Sequence, residues 1–159
     1  MSGRDPDLAC TAYRLRKAAR RVTQAYEAAL AESGVSIVQF AVLAELDRSE
    51  ALTLSALADR LATDRTTLSR TVDRMSALGW TGSVPAQDRR ERRLNLTDAG
   101  KAAFAGALPA WQRVECTIAR NLGSERRDQL WTMLKDLDDV LVAVEDAGEG
   151  EPSDAMARP

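Results

Sequence analysis

The chain has 159 residues, 45% hydrophobic and 29% charged, the size and balance of an ordinary globular unit that buries its own core. It contains no histidine, which excludes Ser-His and Cys-His nucleophilic catalysis and removes the commonest transition-metal ligand; no carboxylate metal-loop spacing stands in for it. Cys10 and Cys116 are too few for a disulfide framework and lie in no CxxC spacing, and no apolar run approaches the roughly 18–20 residues that a bilayer crossing needs. The expectation is a soluble, cytoplasmic protein without catalytic site, metal or cofactor.

In chain order, residues 1–6 read as a flexible start. Leu8, Ala12, Leu15, Ala19, Val22, Tyr26 and Ala29 follow at steps of four and three, one amphipathic helix that Gly34 ends. Ser36 can cap a second helix to about Asp47, and Phe40, Val42, Leu43 and Leu46 leave it so little polar face that it must be sandwiched between others. After a link at Arg48–Leu52, Leu54–Leu61 reads as a short helix with Leu54, Leu57, Ala58 and Leu61 inward. A turn at Ala62 and Thr63 leads to a helix capped by Thr63 or Asp64 and running to Leu78, its apolar stripe Leu68, Val72, Met75 and Leu78, with Gly79 as its stop.

Trp80–Val84 and Arg92–Leu96 read as two short strands around a basic loop at Pro85–Glu91, a hairpin. Thr97 caps a long helix to Leu122, which Pro109 is placed to kink. Gly123 ends it, and Ser124 caps a last helix with Leu130, Leu134, Leu137, Leu141 and Val144 along one seam. Residues 147–159 lack the apolar content to fold and read as a disordered acidic tail. The fold class is therefore mainly α with a small β-hairpin wing. It is a winged helix-turn-helix over about 36–97, flanked by long dimerisation helices at about 7–33 and 98–146 in a single domain of residues 7–146. The terminal stripes exceed what each obviously covers in the other, which points to a homodimer.

The formal charge of −2 hides a strong asymmetry. Asp59–Arg93 carries eight basic residues against five acidic, whereas 124–159 carries four against ten, so a polyanion would meet the middle of the chain and not its end. A helix fits the major groove of B-DNA and presents its N-terminal half to base edges; here that half offers Arg65, Thr66, Thr67, Ser69 and Arg70, with Arg74 one turn on. Arginine can donate two hydrogen bonds to guanine, and threonine brings a methyl and a hydroxyl. By itself this is also what a solvated helix face looks like. The wing decides in favour of double-stranded DNA, because Arg89, Arg90, Arg92 and Arg93 cluster there and a loop arginine can enter a narrow minor groove.

The chain resembles the multiple antibiotic resistance regulator (MarR) family of bacterial winged-helix repressors, from about Leu8 to Val144. The resemblance lies in Gln39, Phe40 and Leu43, in LTLSALADRLATDRTTLSRTVDRMSALGW from Leu52 to Trp80, and most specifically in Asp88-Arg89-Arg90 before Leu94-Asn95-Leu96-Thr97-Asp98-Ala99-Gly100. It implies that Asp88 holds Arg90, which reaches the minor groove. It also implies a dimer on an imperfect palindrome, released by a small aromatic or phenolic effector whose pocket residues it does not assign. Two departures stand out. Gly79-Trp80-Thr81-Gly82-Ser83 lacks the arginine that the family often carries in its first wing strand, and the first-helix position of peroxide-sensing relatives falls near Ala12, two residues from Cys10. Trp111 and Tyr13 read as core residues before pocket residues. The competing reading is a winged-helix protein-interaction module, which would be expected to show an apolar patch where Arg70, Arg74 and Arg90 stand.

Overall fold

A computed structural model describes residues 10–85 and 92–148. Helix α1 (Thr11–Leu30) tightens into a 3-10 turn at Ala31–Ser33 and stops at Gly34, whose φ of 68° is left-handed and suits glycine. Helix α2 (Ile37–Asp47) starts with a reciprocal capping box, Ser36 Oγ accepting from Gln39 N and Gln39 Oε1 accepting from Ser36 N. Glu27 Oε1 on α1 accepts a further orphan donor, Ile37 N, at 3.0 Å. Then come β1 (Leu52–Thr53), α3 (Leu54–Arg60), α4 (Arg65–Ala77), β2 (Thr81–Pro85), β3 (Arg92–Leu96), α5 (Asp98–Leu122) and α6 (Ser124–Gly148).

The hairpin expected from the sequence is a three-stranded antiparallel sheet in the order β1-β3-β2. Leu52 pairs with Leu94 and Thr53 with Arg93, so Leu52 leaves the expected link and joins the sheet. Two residues are too short to show an alternating pattern, and only their partner strand identifies them. Strand β2 starts at Thr81, one residue after the expected Trp80, and extends to Pro85; as an edge strand it tolerates a proline.

The core gathers Leu30, Val35, Phe40, Val42, Leu43 and Leu46 with Leu57, Leu68, Val72 and Met75, the strand residues Leu52, Leu94 and Leu96, and Ala107 and Ala110 of α5. Phe40 is its aromatic centre: the Phe104 ring lies 5.2 Å away and Trp111 stacks on it at 5.4 Å, which makes Trp111 a packing residue. Helix α2 is apolar nearly all round, as a sandwiched helix must be, although Val38 is exposed. Helix α5 continues from Asp98 to Leu122 with Pro109 inside it.

By packing, the chain divides into residues 1–114, which hold this core, and residues 115–159. In the second unit α6 leaves Leu130, Trp131, Met133, Leu134, Val140, Leu141 and Val142 exposed. On α1 the expected stripe buries only Tyr26, while Leu15 and Val22 stay exposed. Among the described residues no single helix is long and apolar enough to cross a membrane.

Candidate nucleic-acid interface

The candidate interface is built on α3 and α4. Thr53 Oγ1 caps α3 by accepting from Ala56 N at 3.1 Å, and the turn after it passes through Ala62 in a left-handed conformation, φ 46°. Thr63 N closes that turn on Ala58 O at 3.1 Å. Of the two caps the sequence allowed for α4, the structure uses Asp64, whose Oδ1 accepts from Thr67 N at 2.8 Å. Hydrogen bonds from Thr67, helped by the nearby Arg70 charge, hold the Asp64 carboxyl below its ordinary value. An ionised cap also suits the positive end of the α4 dipole.

Leu68, Val72 and Met75 are buried and clamp one side of α4 against the core. Leu78, expected to complete that stripe, is 54% exposed, because it lies beyond the last helical residue, where the chain turns toward the sheet. The opposite side presents Arg65, Thr66, Thr67, Arg70 and Arg74 to solvent, with Ser69 half-buried between them. Among the described residues no ion pair within 4.0 Å engages Arg65, Arg70 or Arg74. Three guanidinium groups thus stand on one helix, in no ion pair within 4.0 Å among the described residues, where an anionic partner could meet them.

Of the wing residues, Asp88, Arg89 and Arg90 lie outside the described residues, and Arg92 opens β3 opposite Pro85. Arg93, grouped with the wing cluster by sequence, is engaged within the fold instead. Its Nη2 donates to Ala51 O at 2.7 Å and ties β3 to the segment before β1.

Sequence reasoning missed how the wing stem is fastened. Ser76 and Thr81 share a hydroxyl hydrogen bond of 2.8 Å, and Trp80 N donates to Met75 O at 2.9 Å. Thr97, expected only as a helix cap, also reaches Gly79 O at 2.5 Å and Trp80 O at 3.2 Å through its hydroxyl, while its backbone N–H donates to Trp80 O at 3.1 Å. A Thr-x-x-Gly sequence opening a helix after a strand is the available signal, but it does not say which carbonyls the hydroxyl finds.

Comparison with solved structures gives the same fold. The transcriptional regulator MosR of M. tuberculosis, in complex with DNA, is 34% identical over 87% of this chain and 98% of its own, with a TM-score of 0.72. The transcriptional repressor CouR bound to a 23-mer DNA duplex is 27% identical over 87% of this chain and 99% of its own, with a TM-score of 0.77. CouR bound to p-coumaroyl-CoA is 25% identical over 87% of this chain and 98% of its own, at 0.74. No curated protein matches the chain. The MarR family model matches residues 33–91, a span that begins at the end of the 3-10 turn after α1 and takes in α2, α3, α4 and β2, and with that match and the likeness to MosR along nearly its whole length, this chain belongs to the MarR family.

Proposed function

We propose that the chain is a homodimeric transcriptional regulator that binds a pseudo-palindromic operator in the cytoplasm, acts without catalysis, and is released from DNA by a small aromatic or phenolic effector. The observation that carries this reading is α4: a helix capped by Asp64, clamped by Leu68, Val72 and Met75, and presenting Arg65, Thr66, Thr67, Arg70 and Arg74 outward. Two protomers would place these helices in successive major grooves, on half-sites about 10–10.5 base pairs apart. Asp88 would orient Arg90 into the flanking minor groove. The relatives support both halves of the reading, since MosR and CouR are seen on DNA and CouR also with p-coumaroyl-CoA. The exposed apolar residues of α6 supply a surface for the second copy.

Selection of bound duplexes from a random pool tests the proposal, with wild type, Arg70→Ala and Arg90→Ala compared by fluorescence anisotropy at two salt concentrations. Wild type should enrich an inverted repeat. Arg70→Ala should lose about 1–3 kcal/mol and relax preference at one position of each half-site, while Arg90→Ala should weaken binding to all sequences and flatten its salt dependence. Recovery of no enriched sequence, with equal weak binding by all three proteins, would favour a protein-interaction module instead.

A further inference from the structure

We propose that Thr97 is a positioning residue for DNA reading, its hydroxyl fixing the wing to the end of the recognition helix so that the two act as one body. This rests on the DNA-binding reading above, and it adds the element that sets the angle between the two contacts.

The geometry is a knot of backbone groups around one side chain. Helix α4 ends at Ala77, and Gly79, with a left-handed φ of 74°, turns the chain into β2. The carbonyls of Gly79 and Trp80 both face Thr97, the residue between β3 and α5. A hydroxyl has one hydrogen, and the shorter contact, 2.5 Å, assigns it to Gly79 O. Trp80 O then receives the Thr97 backbone N–H at 3.1 Å, and the Thr97 oxygen accepts from Gly100 N at 3.1 Å. One residue thereby joins the exit of α4, the start of β2, the end of β3 and the first turn of α5, its hydroxyl linking Gly79 to Gly100 and its backbone N–H holding Trp80 O. A Cβ on Gly100 would lie 2.0 Å from Trp80 O, so the close approach itself requires glycine.

The lever arm explains why this joint matters for reading rather than only for folding. Strand β3 spans five residues, about 16 Å at a rise of about 3.3 Å each. A rotation of about 10° at its base moves the far end by about 3 Å, a whole hydrogen-bond length, and a wing contact is lost. The other ties between α4 and the stem, Ser76 to Thr81 and Trp80 to Met75, lie on the β2 side. The Thr97 contacts to Gly79 O and Trp80 O join the end of β3 directly to the helix exit, beside the ladder that pairs β3 with β2.

The test compares Thr97→Val, which keeps the shape and removes the hydroxyl, with Thr97→Ser, which keeps the hydroxyl, and Thr97→Ala, all at a temperature where melting curves show each protein folded. In DNA-free protein, hydrogen exchange of the Gly100 amide should accelerate in Thr97→Val and Thr97→Ala and match wild type in Thr97→Ser. On the operator, Thr97→Val should bind about tenfold more weakly with a salt slope lower by about one to two phosphate contacts, keep the wild-type base preference of α4, and be rescued by Thr97→Ser. Wild-type affinity and slope in Thr97→Val, or a Thr97→Ser protein as impaired as Thr97→Val, overturns the proposal. If wild type itself binds no duplex, it is the DNA-binding reading that fails, and the Gly100 exchange rates then decide the joint.

Discussion

Replacing Gly100 by alanine sets two physical effects of opposite sign against each other. Alanine is the better helix former by about 0.8–1.0 kcal/mol, so propensity alone predicts a more stable protein. Against it stands Trp80 O, 2.0 Å from where the new Cβ would lie, with Trp80 C at 3.0 Å and Leu96 Cδ2 at 3.2 Å. Relief needs a shift of about 1 Å in a carbonyl that the Thr97 N–H holds at 3.1 Å. Loosening that hydrogen bond costs about 1 kcal/mol, and overpacking a buried position adds about 1–3 kcal/mol. The steric side wins by about 2 kcal/mol, a fall in Tm of about 4–8 °C for a domain of this length. Gly106 on the same helix is the internal control: nothing lies within 4 Å of its added Cβ, so Gly106→Ala should be neutral or stabilise by up to about 1 kcal/mol. Urea and thermal melts followed by far-UV circular dichroism measure both. An unchanged or raised midpoint in Gly100→Ala would refute the close approach of α5 to the wing stem.

Leu68, on the inward side of α4, is fully buried, and Leu68→Ala should cost about 2–5 kcal/mol in denaturant melts, whereas Leu78→Ala, at an exposed position, should cost far less. The Asp64 carboxyl titrates below its ordinary value when folded, so its contribution is present above the unfolded value and is lost as pH falls through the folded one. The stability gap between wild type and Asp64→Ala should accordingly be open at neutral pH and close in strong acid; a gap that widened on acidification would contradict the cap. Leu141 sits among the exposed apolar residues of α6, and Leu141→Glu should shift the protein toward monomer in sedimentation velocity without lowering the helix content of the chain. Residues 124–159 are acidic and Arg14, Arg16, Lys17, Arg20 and Arg21 crowd α1, so a dimer joining these segments should weaken as salt is raised.

How far the sequence reached depended on whether a feature was local. Helix starts and stops were legible because caps act within three or four residues: Ser36 and Gln39, Asp64 and Thr67, and the left-handed stops at Gly34, Gly79 and Gly123 each need only their immediate neighbours. The outward set Arg65, Thr66, Thr67, Arg70 and Arg74 followed from the position of Leu68, Val72 and Met75, since a period of 3.6 that fixes the buried side also fixes its opposite. The wing aspartate and arginines, Asp88, Arg89 and Arg90, were readable as a motif and lie outside the described residues.

What the tertiary structure decided were the contacts between residues far apart in sequence. Strand β1 exists only because Leu94 offers Leu52 a partner 42 positions away, and Arg93 reaches Ala51 O across the same separation in sequence. Ala107 and Ala110 are buried although alanine carries little pattern of its own, since the aromatic cluster around Phe40 brings α5 close. Thr97 was visible as a cap, but its grip on Gly79 and Trp80 depends on three segments arriving at one point. Local hydrogen bonding and periodicity are written into a few consecutive residues, whereas the partner of a strand or a hydroxyl is set by which distant backbone groups the packed core brings within about 3 Å.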